Sequence, residues 1–398
     1  MTDAPPPSGR TGYFPALARE IRMITRSPFH IMFVFILPLA SFALLTVIFT
    51  EEVPRDLPVV VIDNDNSALS RTLTRMLDAS PTLAVARFAA DMGEGERIIR
   101  EGLAHALLVI PGGFERDTLR GGAPQMTAFY NNQALLISGL IGRAARDATL
   151  SLAAAADVRA RMARGQTPAE ALEKSEPVRV EPRPLHNPNL NFRYFLLPAL
   201  LPTMLHIFLI IVVVRSVGME LRRGTAGEWL RVSGGSPLLA LLAKMTPHVA
   251  CFLVMVNFML AYLVKYCGVP FNGRMDVWML AGLLFVLAYV SMSTLIVALT
   301  GSLRVAFSMA GFYCGPAFAF AGVTFPLSGM PPGALVWSYA LPLTHYLRVM
   351  MEQVLQGAAP QSSLTPLAAL AAFAFIPPFI IVPKLGRLMR DPGAWGRL

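Results

Sequence analysis

Residues 196–233 read LLPALLPTMLHIFLIIVVVRSVGMELRRGTAGEWLRVS. The half up to Val214 holds no charged residue and has the length a helix needs to cross a bilayer core, about 20 residues. The half after it is rich in arginine and carries Trp229. Five more apolar runs flank this one, so that six fall near 29–49, 195–214, 247–264, 277–300, 305–325 and 364–383. A 398-residue chain with 54% hydrophobic and 15% charged residues departs from soluble globular usage, where charged residues make up about 25%. Because the apolar residues are concentrated in runs, the pattern predicts an α-helical polytopic membrane protein with six transmembrane helices.

The first run is too long for a cleaved signal peptide, and TEEVPRD follows it where a small-residue cleavage site would be needed, so it reads as an uncleaved anchor. The stretch 131–156 is also apolar, but Arg143, Arg146 and Asp147 at its middle mark a long amphipathic helix and not a span. The three cysteines, Cys251, Cys267 and Cys314, lie in or beside spans and read as small packing residues. No Cys/His spacing suggests a metal site.

Charge sets the expected orientation. The formal net charge is +9, yet residues 51–194 hold 17 basic and 18 acidic residues, while the remainder holds 17 basic and 7 acidic. With six spans and the N-terminus inside, 14 of those 17 fall on the cytoplasmic side, and only Lys265, Arg274 and Arg348 fall outside. Both termini are therefore expected in the cytoplasm of a bacterial inner membrane, and the basicity is topological with no nucleic-acid partner implied.

The expected organisation follows. Residues 1–28 form a cytoplasmic N-terminus with an amphipathic elbow helix, in which Phe14, Leu17, Ile21 and Ile24 make an apolar stripe and Arg19, Glu20, Arg22 and Arg26 lie off it. The first span is 29–49. Residues 50–194 form an inserted extracytoplasmic α/β domain between the first and second spans. Its strand patterns DLPVVVID, TLAVARF, AHALLVI and APQMTAFYN alternate with helical ones, followed by a long helix over about 132–164 and an extended segment 176–185. Residues 195–384 carry five more spans, and 385–398 form a cytoplasmic tail. Asp63 and Asp65 in DNDNS, which could suggest a metal or phosphate site, read as turn and helix-capping side chains.

Several chemistries lack their residues. There is no G-x-x-x-x-G-K-[ST] phosphate loop, no nucleophile–base arrangement and no chain of intramembrane carboxylates. The chain is read as having no catalytic residues, metal or cofactor of its own. At span depth His206 and Asn257 stand out as candidates for lining a path, with helix–helix hydrogen bonding as their simpler role.

In the loop 215–237, Gly224 ends the preceding helix, and Thr225-Ala226-Gly227-Glu228 matches a capping box that starts a short helix over about Ala226–Val232. Gly234-Gly235 then ends it before Pro237. The helix is expected to present Trp229 and Leu230 beside Glu228 and Arg231, as a plug for a partner's groove or with Trp229 as an interfacial anchor.

The order of elements resembles the permease subunits of type-2 ABC exporters, of the group with a large extracytoplasmic domain that includes drug efflux systems. The resemblance rests on Glu220, Gly224, Thr225, Glu228 and Leu230, with Lys244 and Pro247 following. It rests also on FPLSGMPPGALVWSYALPLTHYLRVMMEQVLQG (325–357). In many members the acidic residue comes two positions after the Gly-Thr threonine, whereas here Glu228 comes three after. The resemblance implies that Glu220, Gly224, Thr225, Glu228, Trp229, Leu230 and Arg231 couple to a cytoplasmic ATPase that binds ATP and Mg. It further implies a dimer of permeases and a re-entrant exit segment, 326–363, gated by Phe325, Pro326, Met330, Pro331, Pro342, Thr344, His345 and Tyr346. The expected function is ATP-driven export of amphiphilic or hydrophobic small molecules, drugs or lipids, with possible periplasmic adaptor and outer-membrane channel partners. A non-transporting signal transducer or an ABC-type mechanotransmitter is the alternative.

Overall fold

The computed structural model describes residues 11–51, 53–132, 135–175, 186–187 and 191–396. The expected extended segment 176–185 lies outside the described residues. The chain divides into two compact units, Met1–Glu52 with Leu185–Leu398, and Val53–Pro184.

Among its described residues the first unit contains six helices long and apolar enough to cross a membrane: Pro28–Ile48, Phe192–Arg222, Pro237–Tyr266, Met275–Thr300, Leu303–Phe320 and Pro360–Arg390. They match the six apolar runs and extend several of them. The second span continues two turns past Val214 to Arg222. The third starts at Pro237, well before the expected 247, because Ser236 caps it and Pro237 occupies the first helical turn, where its missing N–H costs nothing. Pro198, Pro202 and Pro247 are accommodated inside helices, since neighbouring helices support the freed backbone groups.

The second and fourth spans are the most enclosed, with 72% of their apolar windows buried against 22% for the first. The bundle's core is therefore built around them. The fifth span breaks at Gly315-Pro316. Beyond it, Pro332–Tyr339 and Pro342–Met350 form two short helices, each opened by a proline.

In the second unit the strands β1 (Leu57–Asp63), β2 (Leu83–Phe88), β3 (Ala106–Ile110) and β4 (Thr127–Tyr130) lie in the order β2-β1-β3-β4. β1 pairs parallel with both β2 and β3, and β4 closes the edge antiparallel. The continuous run Val59–Ile62 is central because it is buried on both faces, as parallel strands covered by helices require. Helices Ala68–Asp78 and Met92–Arg100 make the crossovers, and Leu135–Ala163 is the long helix expected there, not among the candidate spans.

The acids of DNDNS are both capping groups. One Asp63 oxygen accepts the backbone N–H groups of Asp65 and Asn66 at 3.0 Å, and the other accepts the Ser70 hydroxyl at 2.7 Å. Asp65 accepts the N–H groups of Gly113 at 2.7 Å and Glu115 at 3.0 Å, which ties the end of β1 to the start of helix Phe114–Leu119. The Ser67 hydroxyl and these backbone donors hold the Asp65 carboxyl below the ordinary carboxylate range. Asp65→Ala is expected to cost about 1 kcal/mol locally, as loss of a cap does. Amide exchange over Phe114–Leu119 in the full chain should speed about fivefold, since 1.4 kcal/mol corresponds to a factor of ten. In the native chain this contribution is present at neutral pH, above the unfolded pKa, and is lost as pH falls through the depressed folded value. Exchange that is unchanged in the variant would remove Asp65 from this role.

Candidate functional site

The stretch that connects the second and third spans is seated from four sides. The second span ends with Arg223 as its C-cap, and Gly224 takes a left-handed conformation at φ 69° that a side chain would strain. The short helix runs Ala226–Val232, and Gly234 and Gly235, also left-handed at φ 71° and 75°, end it as expected.

The capping box does not form. Thr225 makes no side-chain cap; its hydroxyl donates to the carboxylate of Glu220, and Glu228 turns to Arg19 at 3.8 Å. A buried carboxylate at hydrogen-bond distance attracts the hydroxyl more strongly than a neutral backbone N–H.

Trp229 and Leu230 are not presented outward. Trp229 is 1% exposed, its Nε1–H donates to the carbonyl of Ala240 at 3.1 Å, and the ammonium of Lys244 lies 4.9 Å from its ring centroid. Leu230 is buried in the same core. A seven-residue helix with an apolar aromatic gains more from burying it on the neighbouring span than from holding it in water. The outward face instead carries Glu228 and Arg231, continued by Arg222 and Arg223 at the end of the second span.

Beneath this helix lies a buried charge network that sequence reading missed. The Lys244 ammonium donates to Glu20 at 2.6 Å and to Glu220 at 3.0 Å. Arg19 grips both oxygens of Glu220, at 2.8 and 3.1 Å, and Ser216 donates to Glu20 at 3.3 Å. The side chain of Lys244 is fully buried, and those of Glu20 and Glu220 are 3% exposed. Burial works against the charge on Arg19, but its hydrogen bond and attraction to Glu220 prevail and raise its pKa.

The elbow helix, Tyr13–Thr25, thus turns Ala16 and Glu20 toward the protein and leaves Phe14 (77% exposed) and Ile21 outward. That outward apolar stripe fits a lipid-facing surface. Lys244 escaped notice as a residue at span depth because the third span was expected to begin three residues after it.

The chain ends reinforce the seat. The N–H of Gly12 donates to Val232 at 2.8 Å, and that of Gly396 to Leu221 at 3.1 Å. A Cβ on Gly227 would stand 2.8 Å from the ring of Trp395, so only glycine lets the tail ring pack there.

The candidate exit residues divide into two sets. Phe325, Pro326 and Pro331 are exposed and Met330 is half-buried, all in the turn region before Pro332. Pro342, Thr344 and Tyr346 are buried, with Tyr346 stacked 4.2 Å from Phe285, and the N–H of Leu343 donates to the Tyr289 hydroxyl at 3.1 Å. His345 donates to the Tyr339 carbonyl at 3.0 Å and is a packed histidine.

The two path-lining candidates are not brought together. His206 is fully buried in the core, 4.9 Å from the ring of Tyr289. Asn257 is exposed on the third span and donates back to its own helix at Leu253, 2.8 Å away, with no helix–helix bond among the described residues.

Comparison with known proteins converges on this architecture. The family model described as ABC-2 family transporter protein matches residues 29–381. The chain belongs to the ABC-2 transporter family. Within that family it is similar to the probable multidrug ABC transporter permease YbhR of Escherichia coli K12, with 25% identity over 190 residues. The match covers 47% of this chain and 51% of that relative, and the same values hold for the protein from strain O157:H7. The chain thus spans about half the length of the curated relatives it matches. An ABC-2 chain with six such helices is a multi-pass membrane protein. For this family member, the site with the most built-in structure is the clamped helix Ala226–Val232.

Proposed function

We propose that this chain is the permease subunit of an ATP-driven exporter in a bacterial inner membrane, with both termini in the cytoplasm. It works as a dimer, and a separate ATPase binds the ATP and Mg. The observation that carries this reading is the seating of Ala226–Val232 on a buried ion network that joins the elbow helix to the second and third spans. A helix held this way moves only with the helices beneath it, so a push on its outward face is delivered to two spans at once. Glu228 and Arg231 meet the motor, while Trp229 passes the displacement inward.

The turn Phe325–Pro331 and the buried helix Pro342–Met350 form the far gate. Cargo is amphiphilic or hydrophobic, a reading supported by the name of the similar permease. The α/β unit is suited to meeting a periplasmic adaptor and, through it, an outer-membrane channel.

The test is co-purification with a cytoplasmic ABC ATPase co-expressed from the same organism. Reversing the charges, Glu228→Lys with Arg231→Glu, should lower ATPase recovery at least about tenfold, as breaking close charge pairs at an interface does. Phe325→Ala should leave recovery intact and change efflux. An ATPase that binds the charge-reversed permease as well as the native one would sink the coupling assignment. ATPase binding with no efflux of any cargo would favour the signal-transducer reading.

A further inference from the structure

Between the elbow helix, the start of the first span and the end of the second lies a cavity of about 560 Å³. That volume is in the range of small-ligand sites, about 300–1,000 Å³. Arg22, Arg26, Arg215 and Arg223 line it, and among the described residues none of the four has a carboxylate within salt-bridge distance. The two acids in its wall are already engaged, Glu20 by Lys244 and Glu220 by Lys244 and Arg19.

Arg215 is held in place by stacking its guanidinium 4.1 Å over the ring of Phe29. His30, also in the wall, has both ring nitrogens out of solvent and without a hydrogen-bond partner. Met23, Phe29 and Met219 add an apolar side. Positive charge spread over a surface is explained by topology alone. Four unpaired arginines gathered around one concavity, with an aromatic and two methionines beside them, are not.

We infer that this cavity binds the phosphate of an anionic phospholipid, with the arginines on the headgroup and Met23, Phe29 and Met219 against its glycerol and first methylenes. Guanidinium groups bind phosphate oxygens in pairs of parallel hydrogen bonds. Basic pockets between spans at the cytoplasmic face are where such headgroups collect. The bound lipid would pin the elbow helix to both spans by a route separate from the Lys244 network. The inference requires only that this chain sits in a bilayer, not that it couples to an ATPase.

The full-length chain, purified in neutral detergent, tests it. Titrated phosphatidylglycerol should raise the melting temperature saturably, while phosphatidylcholine and inorganic phosphate should not. Arg26→Gln and Arg215→Gln should each raise the half-saturating lipid concentration about fivefold, the value of one arginine at an anionic surface. Arg304→Gln, an exposed arginine away from the cavity, should leave it unchanged.

Equal responses to phosphatidylglycerol and phosphatidylcholine would overturn the proposal. So would an inorganic-phosphate response as large as the lipid's, which would make this a small-anion site. Loss of the response in Arg304→Gln would reduce it to diffuse surface attraction. If Arg26→Gln instead abolishes ATPase co-purification in neutral detergent, the arginines belong to a protein contact. The native-chain titration decides the matter even if Arg215→Gln does not purify.

Discussion

Lys244→Met should destabilise the full-length chain by about 3–5 kcal/mol, the usual consequence of removing one partner from a buried ion pair. The reason is geometric. Among the described residues, Lys244 is the only cation within salt-bridge distance of Glu20, and without it that carboxylate keeps a single hydroxyl donor, Ser216. Glu220 suffers less, because Arg19 still holds both its oxygens. The elbow helix should therefore loosen from the third span while Arg19 still ties it to the second, and protease or cysteine labelling near Glu20 would report that loosening.

The double variant Glu20→Gln/Lys244→Met removes both charges and should recover most of the loss. Replacing a buried pair by neutral groups of similar volume is often tolerated where breaking it is not. Melting of the purified chain in one detergent supplies the comparison. A single Lys244→Met variant within about 0.5 kcal/mol of native, the range of ordinary surface substitutions, would contradict the buried network.

Trp229→Ala should show the second large effect, about 3–5 kcal/mol, because truncating a buried tryptophan leaves a cavity its neighbours fill only in part. Trp229→Phe keeps most of the packing and loses the hydrogen bond to Ala240, a cost of about 1 kcal/mol. The functional readouts should separate in an informative way. In Trp229→Ala the outward charges Glu228 and Arg231 remain, so the ATPase should still bind and hydrolyse ATP while cargo efflux falls. Glu228→Ala and Arg231→Ala should leave stability within about 0.5 kcal/mol and weaken ATPase binding instead. A Trp229→Ala chain that melts like native and transports normally would mean the ring carries neither packing nor coupling.

Much of the architecture could be read from the residues. The six apolar runs reappear as six helices, and the alternating strand and helix patterns of 57–130 reappear as a four-stranded sheet with crossover helices. Ser67 caps the first of those helices, and the DNDNS acids serve as capping groups. Lys244 was legible in another sense: a cation this close to an apolar run is expensive unless paired, which is itself a signal. The apolar run begins only at Pro247, which sets Lys244 outside the span, whereas the helix itself begins at Pro237.

The errors share one cause. Thr225 and Glu228 have the spacing of a capping box, but each is drawn to a partner outside its own helix, Glu220 and Arg19. Trp229 looked exposed because a seven-residue helix between charged residues gives no sign of which neighbour it leans on.

What the sequence determined by itself is therefore local: where helices run, where the loop helix begins and ends, and where strands alternate with helices. Hydrophobic periodicity and the left-handed glycines Gly224, Gly234 and Gly235 act within a few residues and need no other segment to be understood. The tertiary structure alone decided which charges pair and which face of the loop helix turns inward. Glu20 and Lys244 lie 224 positions apart, and nothing near either one names the other. Their pairing exists only because three helices pack close enough to shut water out, and a charge without water must find an opposite charge.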